Sequence, residues 1–147
     1  MTTKKTKYSK KDRAKLDEIV KESGTVTKGL ILLTRLEDLS SYLSVVLVQF
    51  PRYERYALCS EIRKTMENLI RLTIEAGKRY YKRTALEKAD IELEYLRVLF
   101  RRCASLKYFN DERYKATSSH VVEIGNLLGG WLKNVRAKES KGKVDNK

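Results

Sequence analysis

From about Lys28 to Gln49 the apolar positions Leu32, Leu36, Leu39, Leu43, Val46 and Phe50 recur at alternating steps of four and three. That spacing lines one face of a helix with side chains that need burial, so it predicts a helix with a core-facing seam. Pro51 cannot comfortably continue a helix but suits the first turn of a new one, which places a corner between the first and second helices. The second runs to about Tyr80, with Cys59, Ile62, Met66, Leu69, Thr73 and Ala76 on its seam, widened by Ile70 and Ile74.

Thr84-Ala85-Leu86-Glu87 reads as a capping box, in which hydroxyl and carboxylate each satisfy a backbone N–H at a helix start. A third helix is expected from there, with Leu86, Ala89, Leu93, Leu96, Phe100 and Cys103 inward and an acid-before-base order that suits the helix dipole. Past a turn at Phe109-Asn110, Asp111 and Glu112 open a fourth, seamed by Tyr114, Thr117, Val121, Ile124, Leu128, Trp131 and Val135. Short connections between long helices favour antiparallel neighbours, so the predicted fold is an all-α, up-down-up-down four-helix bundle. Residues 28–136 form that body; residues 1–27 read as a basic N-terminal extension, with a brief helix between Lys10 and Glu22, and residues 137–147 as a basic disordered tail.

Composition sharpens this picture. With 147 residues the chain suffices for one domain, and one proline and seven glycines leave too few turn breakers for a β-sandwich. The formal net charge of +13 divides into +4 for residues 1–22, +4 for residues 133–147 and +5 for the body. A body that is itself positive suits a polyanionic partner through counterion release, the competing reading being solubility. No secretory signal is visible behind the lysine-rich start, and Arg35, Glu37 and Asp38 interrupt the most apolar stretch, so no membrane span and a cytoplasmic protein are expected. Two cysteines without C-x-x-C spacing make a zinc site improbable, and reduced, buried thiols are expected of Cys59 and Cys103, which the antiparallel register brings together. His120 is the only imidazole and has no carboxylate at triad spacing, so neither a catalytic serine nor a di-metal centre is expected, and no cofactor is implied.

Three local features coincide: Phe50-Pro51-Arg52-Tyr53-Glu54-Arg55 at the first corner, Leu86-Glu87-Lys88-Ala89-Asp90 in the third helix, and Glu123-Ile124-Gly125-Asn126-Leu127-Leu128-Gly129-Gly130-Trp131 in the fourth. Together they resemble the Avd family, the accessory variability determinants of diversity-generating retroelements, which is similar to the four-helix-bundle proteins encoded within ribosomal RNA intervening sequences. The resemblance spans about residues 28–136. It implies a homopentameric barrel of bundles with a basic surface and no catalysis of its own, which binds the element's reverse transcriptase and template RNA to support mutagenic cDNA synthesis. A longer N-terminal extension, and Tyr53 where a short polar residue would cap the second helix more readily, depart from the family pattern. The alternative function is that of a structural oligomer of the intervening-sequence type with no specific nucleic-acid role.

The residues themselves nominate contacts. In Lys78-Arg79-Tyr80-Tyr81-Lys82-Arg83 the cations suit phosphates and the tyrosines suit unpaired bases, although cations there also answer the dipole and cap the carbonyls of a helix end, with Tyr80 finishing the seam. Arg97, Arg101 and Arg102 form a second cluster and Arg63, Lys64 and Arg71 a third. Antiparallel pairing of helices two and three would merge them into one basic strip, unless intrahelical pairs such as Glu67 with Arg71 and Glu94 with Arg97 quench it. Gly125, Gly129 and Gly130 are candidates for a subunit interface or for close approach of a large side chain, since interior glycines cost about 1 kcal/mol each relative to alanine; a helix end at Gly129-Gly130 is the competing reading.

Overall fold

A computed structural model describes residues 10–15 and 25–145. Four helices dominate: α1 (Thr25–Val46), α2 (Leu58–Lys78), α3 (Arg83–Ser105) and α4 (Asp111–Asp145). No strand occurs among the described residues. Each helix packs on its chain neighbours, and α1 also packs on α4, which closes the ring. The α1–α2 and α3–α4 corners meet at one end, where Phe50 lies 5.1 Å from Tyr108 and 5.7 Å from Phe109, centroid to centroid. Gly29, the α2–α3 turn and the later part of α4 meet at the other. That distribution of ends is the up-down-up-down arrangement.

The core is made of the seams that the spacing marks. Leu36, Leu39, Ile62, Leu86, Leu93, Leu96 and Cys103 are wholly buried, and Ile124, Leu128 and Trp131 nearly so. Buried threonines are satisfied within their own helices: Thr34 donates to Leu30 O, Thr65 to Glu61 O, Thr73 to Leu69 O and Thr117 to Arg113 O. A hydroxyl that bonds its own preceding turn enters the core without an unpaired donor.

Several boundaries differ from the sequence expectation. Two 3-10 turns, Leu47–Gln49 and Arg52–Glu54, occupy the first corner, and α2 starts only at Leu58. Tyr53 therefore caps nothing; its hydroxyl meets that of Tyr108 at 3.1 Å across the two corners. The capping box does not form, because α3 already begins at Arg83 and its cap residue Lys82 makes no side-chain capping bond. Glu87 is drawn instead to Arg83, at 2.8 Å, and to Arg136. Asn110 does cap α4, its Oδ1 accepting the Arg113 N–H at 2.8 Å.

The largest difference is at the C-terminus. α4 has 35 residues against 21 to 23 for the others, and passes through Gly129 and Gly130 without a break. At 1.5 Å per residue it is about 52 Å long, while its neighbours span roughly 32–35 Å. The reading of residues 137–147 as a disordered tail is corrected up to Asp145, and so is a helix end at Gly129-Gly130. Arg83 holds the later part of the helix to the bundle through Glu139 at 3.1 Å. Of the extension 1–27, residues 10–15 are helical, Thr25 already belongs to α1, and residues 1–9 and 16–24 lie outside the described residues.

Residues 10–15 have a tie to the body. Arg13 forms an ion pair with Asp38, whose side chain is only 3% exposed, and Arg35, buried beside it on α1, pairs with Glu123 of α4. Two of the three polar interruptions of the apolar stretch, Arg35 and Asp38, are thus buried on α1, while Glu37 is half-buried. His120 stands against α1, its ring 5.7 Å from that of Tyr42. Burial lowers the His120 pKa, with a smaller push in the same direction from Arg13 and an opposing pull from Glu123 and Asp38. A folded value below the unfolded value of about 6.5 means that the unfolded chain binds more protons in that window. The contribution of His120 to stability is therefore present above about pH 6.5 and lost as pH falls through its folded value. Urea titrations of wild type and His120→Gln between neutrality and mild acid should show a shallower loss in the variant; identical slopes would refute this.

Candidate nucleic-acid interface

The basic residues nominated by the sequence fall into four places. Lys64, Arg71 and Lys78 are seven residues apart, two helical turns each, so they form a stripe along α2. All three are exposed, opposite the seam carrying Ile62, Leu69 and Ala76. Among the described residues, no carboxylate lies within 4 Å of any of them. Arg71 also lines the shallow α2–α3 groove with Asn68, Lys88 and Glu92, so the intrahelical pairing with Glu67 is not made.

Arg63 is turned a quarter of the way round α2, toward α1. It lines one groove with Ser40 and Ser44 and another, at the first corner, with Arg52 and Arg55. Arg97 and Arg101 line a groove on the opposite side of the bundle, between α3 and α4, with Tyr114 and Ser118. Arg97 is also spent on Glu94 at 2.9 Å. The single strip joining Arg63 to Arg101 is thus divided. Two helices in antiparallel register do bring these positions to similar heights, but height does not set the direction around each helix axis. Arg102 is on the α2 side of α3, near Tyr95, whose hydroxyl donates to Glu61 Oε2 at 3.0 Å.

At the α2–α3 turn the cations have different fates. Lys82 Nζ donates to the carbonyls of Ala76 at 2.7 Å and Arg79 at 2.8 Å, the capping role weighed against phosphate binding. Arg79 pairs with Glu75 at 2.8 Å, and Arg83 with Glu87 and Glu139. The Arg83 hydrogen bond is the main cause holding the Glu87 carboxyl below its usual range. Lys78 stays unpaired among the described residues, and Tyr80 and Tyr81 stand 88% and 78% exposed. A cleft of about 820 Å³ opens between this turn and α4, with Trp131, Val135 and Lys138 on its far wall.

Sequence reasoning missed Lys88 and Lys138. The period of α3 would have placed Lys88 on the α2 side; Lys138 was assigned to the tail, where no helical geometry was expected. Among the described residues, no cluster of three or more His, Cys, Asp or Glu side chains is placed to hold a metal ion, and no helix is long and apolar enough to cross a membrane. Cys59 and Cys103 are free and buried. Burial, and next the neighbouring Cys59, push the Cys103 thiol up to about 12. Such thiols are inert at neutral pH.

A family model described as bAvd-like matches residues 30–135. The chain belongs to the bAvd-like family. At family level it is therefore an Avd-type accessory protein, a non-catalytic kind. The matched span includes α2 and α3 entire and stops before Lys138. No curated protein and no solved structure matches the chain.

Gly125 and Gly129, four residues apart within the matched span, differ in surroundings. A Cβ on Gly125 would stand 2.7 Å from an Arg97 nitrogen, so this glycine makes room for a large side chain of the same chain. Gly129 and Gly130 are exposed, with nothing within 4 Å of where a Cβ would be.

Proposed function

We propose that this chain is the non-catalytic accessory subunit of a diversity-generating retroelement. It acts in the cytoplasm, where it binds the element's reverse transcriptase and template RNA to support mutagenic cDNA synthesis. Family membership supplies the setting, and the observation that carries the reading is the Lys64, Arg71 and Lys78 stripe. Cations not already spent on carboxylates attract phosphates at full strength, and their release of counterions makes binding fall steeply with salt. Arg102 and Lys88 broaden the stripe toward α3. The structural-oligomer reading draws its support from the quenched arginines, Arg79, Arg83 and Arg97.

Salt separates the two. Co-expression with the reverse transcriptase of the same locus should recover the polymerase and one defined transcript, and affinity for that transcript should fall steeply between low and physiological salt. Weak binding that hardly changes with salt, or recovery of neither partner, would leave the structural reading.

In the proposed assembly, a homopentamer of bundles, the bare surface at Gly129 and Gly130 meets a second subunit. Gly129→Leu adds a side chain where the chain itself has open space and raises helix propensity by up to about 1 kcal/mol. The monomer's unfolding midpoint is thus expected to hold or rise while the assembly's mass by light scattering falls. An unchanged mass would count against this interface.

A further inference from the structure

The cleft beside the α2–α3 turn combines features that a helix end does not require. Its turn side carries two large aromatic rings, Tyr80 and Tyr81, almost fully exposed between helices. Their centroids are 4.9 Å apart and their planes at 89°, which forms an aromatic corner. A planar group lying on the face of one ring presents its own edge to the face of the other, so it makes both the stacked and the edge-to-face contacts that aromatic pairs favour. Lys78 stands on one side and Lys138 on the other, neither with a carboxylate within 4 Å among the described residues. The remaining charges are committed: Arg79 to Glu75, Lys82 to backbone carbonyls, and Glu139 to Arg83. Trp131 lines the far wall at 1% exposure, and its indole N–H finds no acceptor among the described residues. Gly77 and Gly142, with open space where a Cβ would stand, leave the rim bare.

We infer that this cleft takes an unpaired nucleotide of a single strand, its base against the Tyr80–Tyr81 corner and its flanking phosphates on Lys78 and Lys138. A base within a duplex has both faces covered by its neighbours and cannot occupy an aromatic corner, whereas an unpaired base exposes a π-face whatever its identity. The site thus distinguishes strandedness, which the α2 stripe, meeting phosphates alone, does not. The inference rests on the nucleic-acid reading proposed above. RNA and DNA single strands share the required chemistry, and the probes below tell them apart.

The test uses the full chain with end-labelled oligouridylate, oligothymidylate and a blunt RNA duplex of equal phosphate count, followed by anisotropy and by emission of Trp131, the one tryptophan. Both tyrosines are exposed and outside the helices, so a Tyr80→Ala/Tyr81→Ala variant should keep wild-type circular dichroism. Its single-strand affinity is expected to fall about tenfold or more, the loss of one to two stacked bases, with duplex affinity unchanged. A Tyr80→Phe/Tyr81→Phe variant should retain wild-type binding, and Trp131 emission should respond to the single strands but not to the duplex. Tyrosine dependence with either single strand supports the site, and the tighter strand identifies the sugar. An equal loss for duplex and single strand, or no loss at all while the wild type binds both, overturns this site and leaves the accessory function standing. Failure of the wild type to bind any of the three overturns both.

Discussion

Replacing Trp131 with alanine is expected to lower folding stability by about 3–5 kcal/mol, the range for truncating a buried aromatic whose surroundings cannot collapse. The ring is 1% exposed and belongs to the seam that joins α4 to α1. Across it α1 carries Gly29, where an added Cβ would stand 2.9 Å from Trp131 Cη2, so the α1 backbone approaches the ring as closely as a glycine allows. Two helices held by the rest of their seams cannot both move into the vacated volume. Trp131→Phe should cost less, because the indole N–H has no partner among the described residues and no hydrogen bond is lost with it. Gly29→Ala should destabilise the wild type by about 1–3 kcal/mol through overpacking and be tolerated beside Trp131→Ala, a coupling that a double-mutant cycle reads directly. Urea unfolding with an unchanged slope measures all three. A loss below about 1 kcal/mol for the alanine variant would mean that the site relaxes and that the contact is not tight.

Substituting glutamine at Lys64, Arg71 and Lys78 together is expected to weaken RNA binding roughly fiftyfold at physiological salt and to reduce the salt slope by about 2, if each cation releases about 0.7 counterions from a single strand. The three side chains are exposed and opposite the core, so stability should change by no more than about 0.5 kcal/mol. The informative comparison is a triple variant of Arg79, Arg83 and Arg97. Those arginines carry the same formal charge but are held by Glu75, Glu87, Glu139 and Glu94. Removing them should move affinity and slope far less. Equal effects from both triples, measured by anisotropy against salt, would show that binding follows net charge and not the unpaired stripe.

The contrast between those triples shows how far the interface could be read from the chain. Counting cations found Lys64, Arg71 and Lys78, yet the same count included Lys82, which caps α2, and Arg97, which pairs with Glu94 and overhangs Gly125. The pairing of Glu94 with Arg97 was legible because both are on one helix three residues apart. That of Arg83 with Glu139 was not, because 56 residues and a packing decision separate them. The tyrosine corner was legible as composition, but its cleft was not: Trp131 and Val135 of the far wall were read as core seam, and Lys138 beside them as tail.

The spacing of apolar residues was enough, by itself, to set the helices and their inward faces. The seams expected of α1 and α3 are buried throughout; on α2 the six seam positions are buried but the widening residues are not, Ile70 being half-buried and Ile74 exposed, and on α4 only Tyr114 and Val135, near the ends of the seam, are partly exposed. That follows from local geometry: a period near 3.6 directs every third or fourth side chain to one side, and burial of that side outweighs any single propensity. Tertiary structure decided where each helix begins and ends, which polar groups go inside, and which cations remain available. Asp38 and Arg35 enter the interior because Arg13 and Glu123 meet them there, and α4 runs on past the bundle because Arg83 and Arg136 link it to α3. Charge pairing depends on distances of a few ångströms between residues remote in sequence, and those distances exist only once the helices have packed.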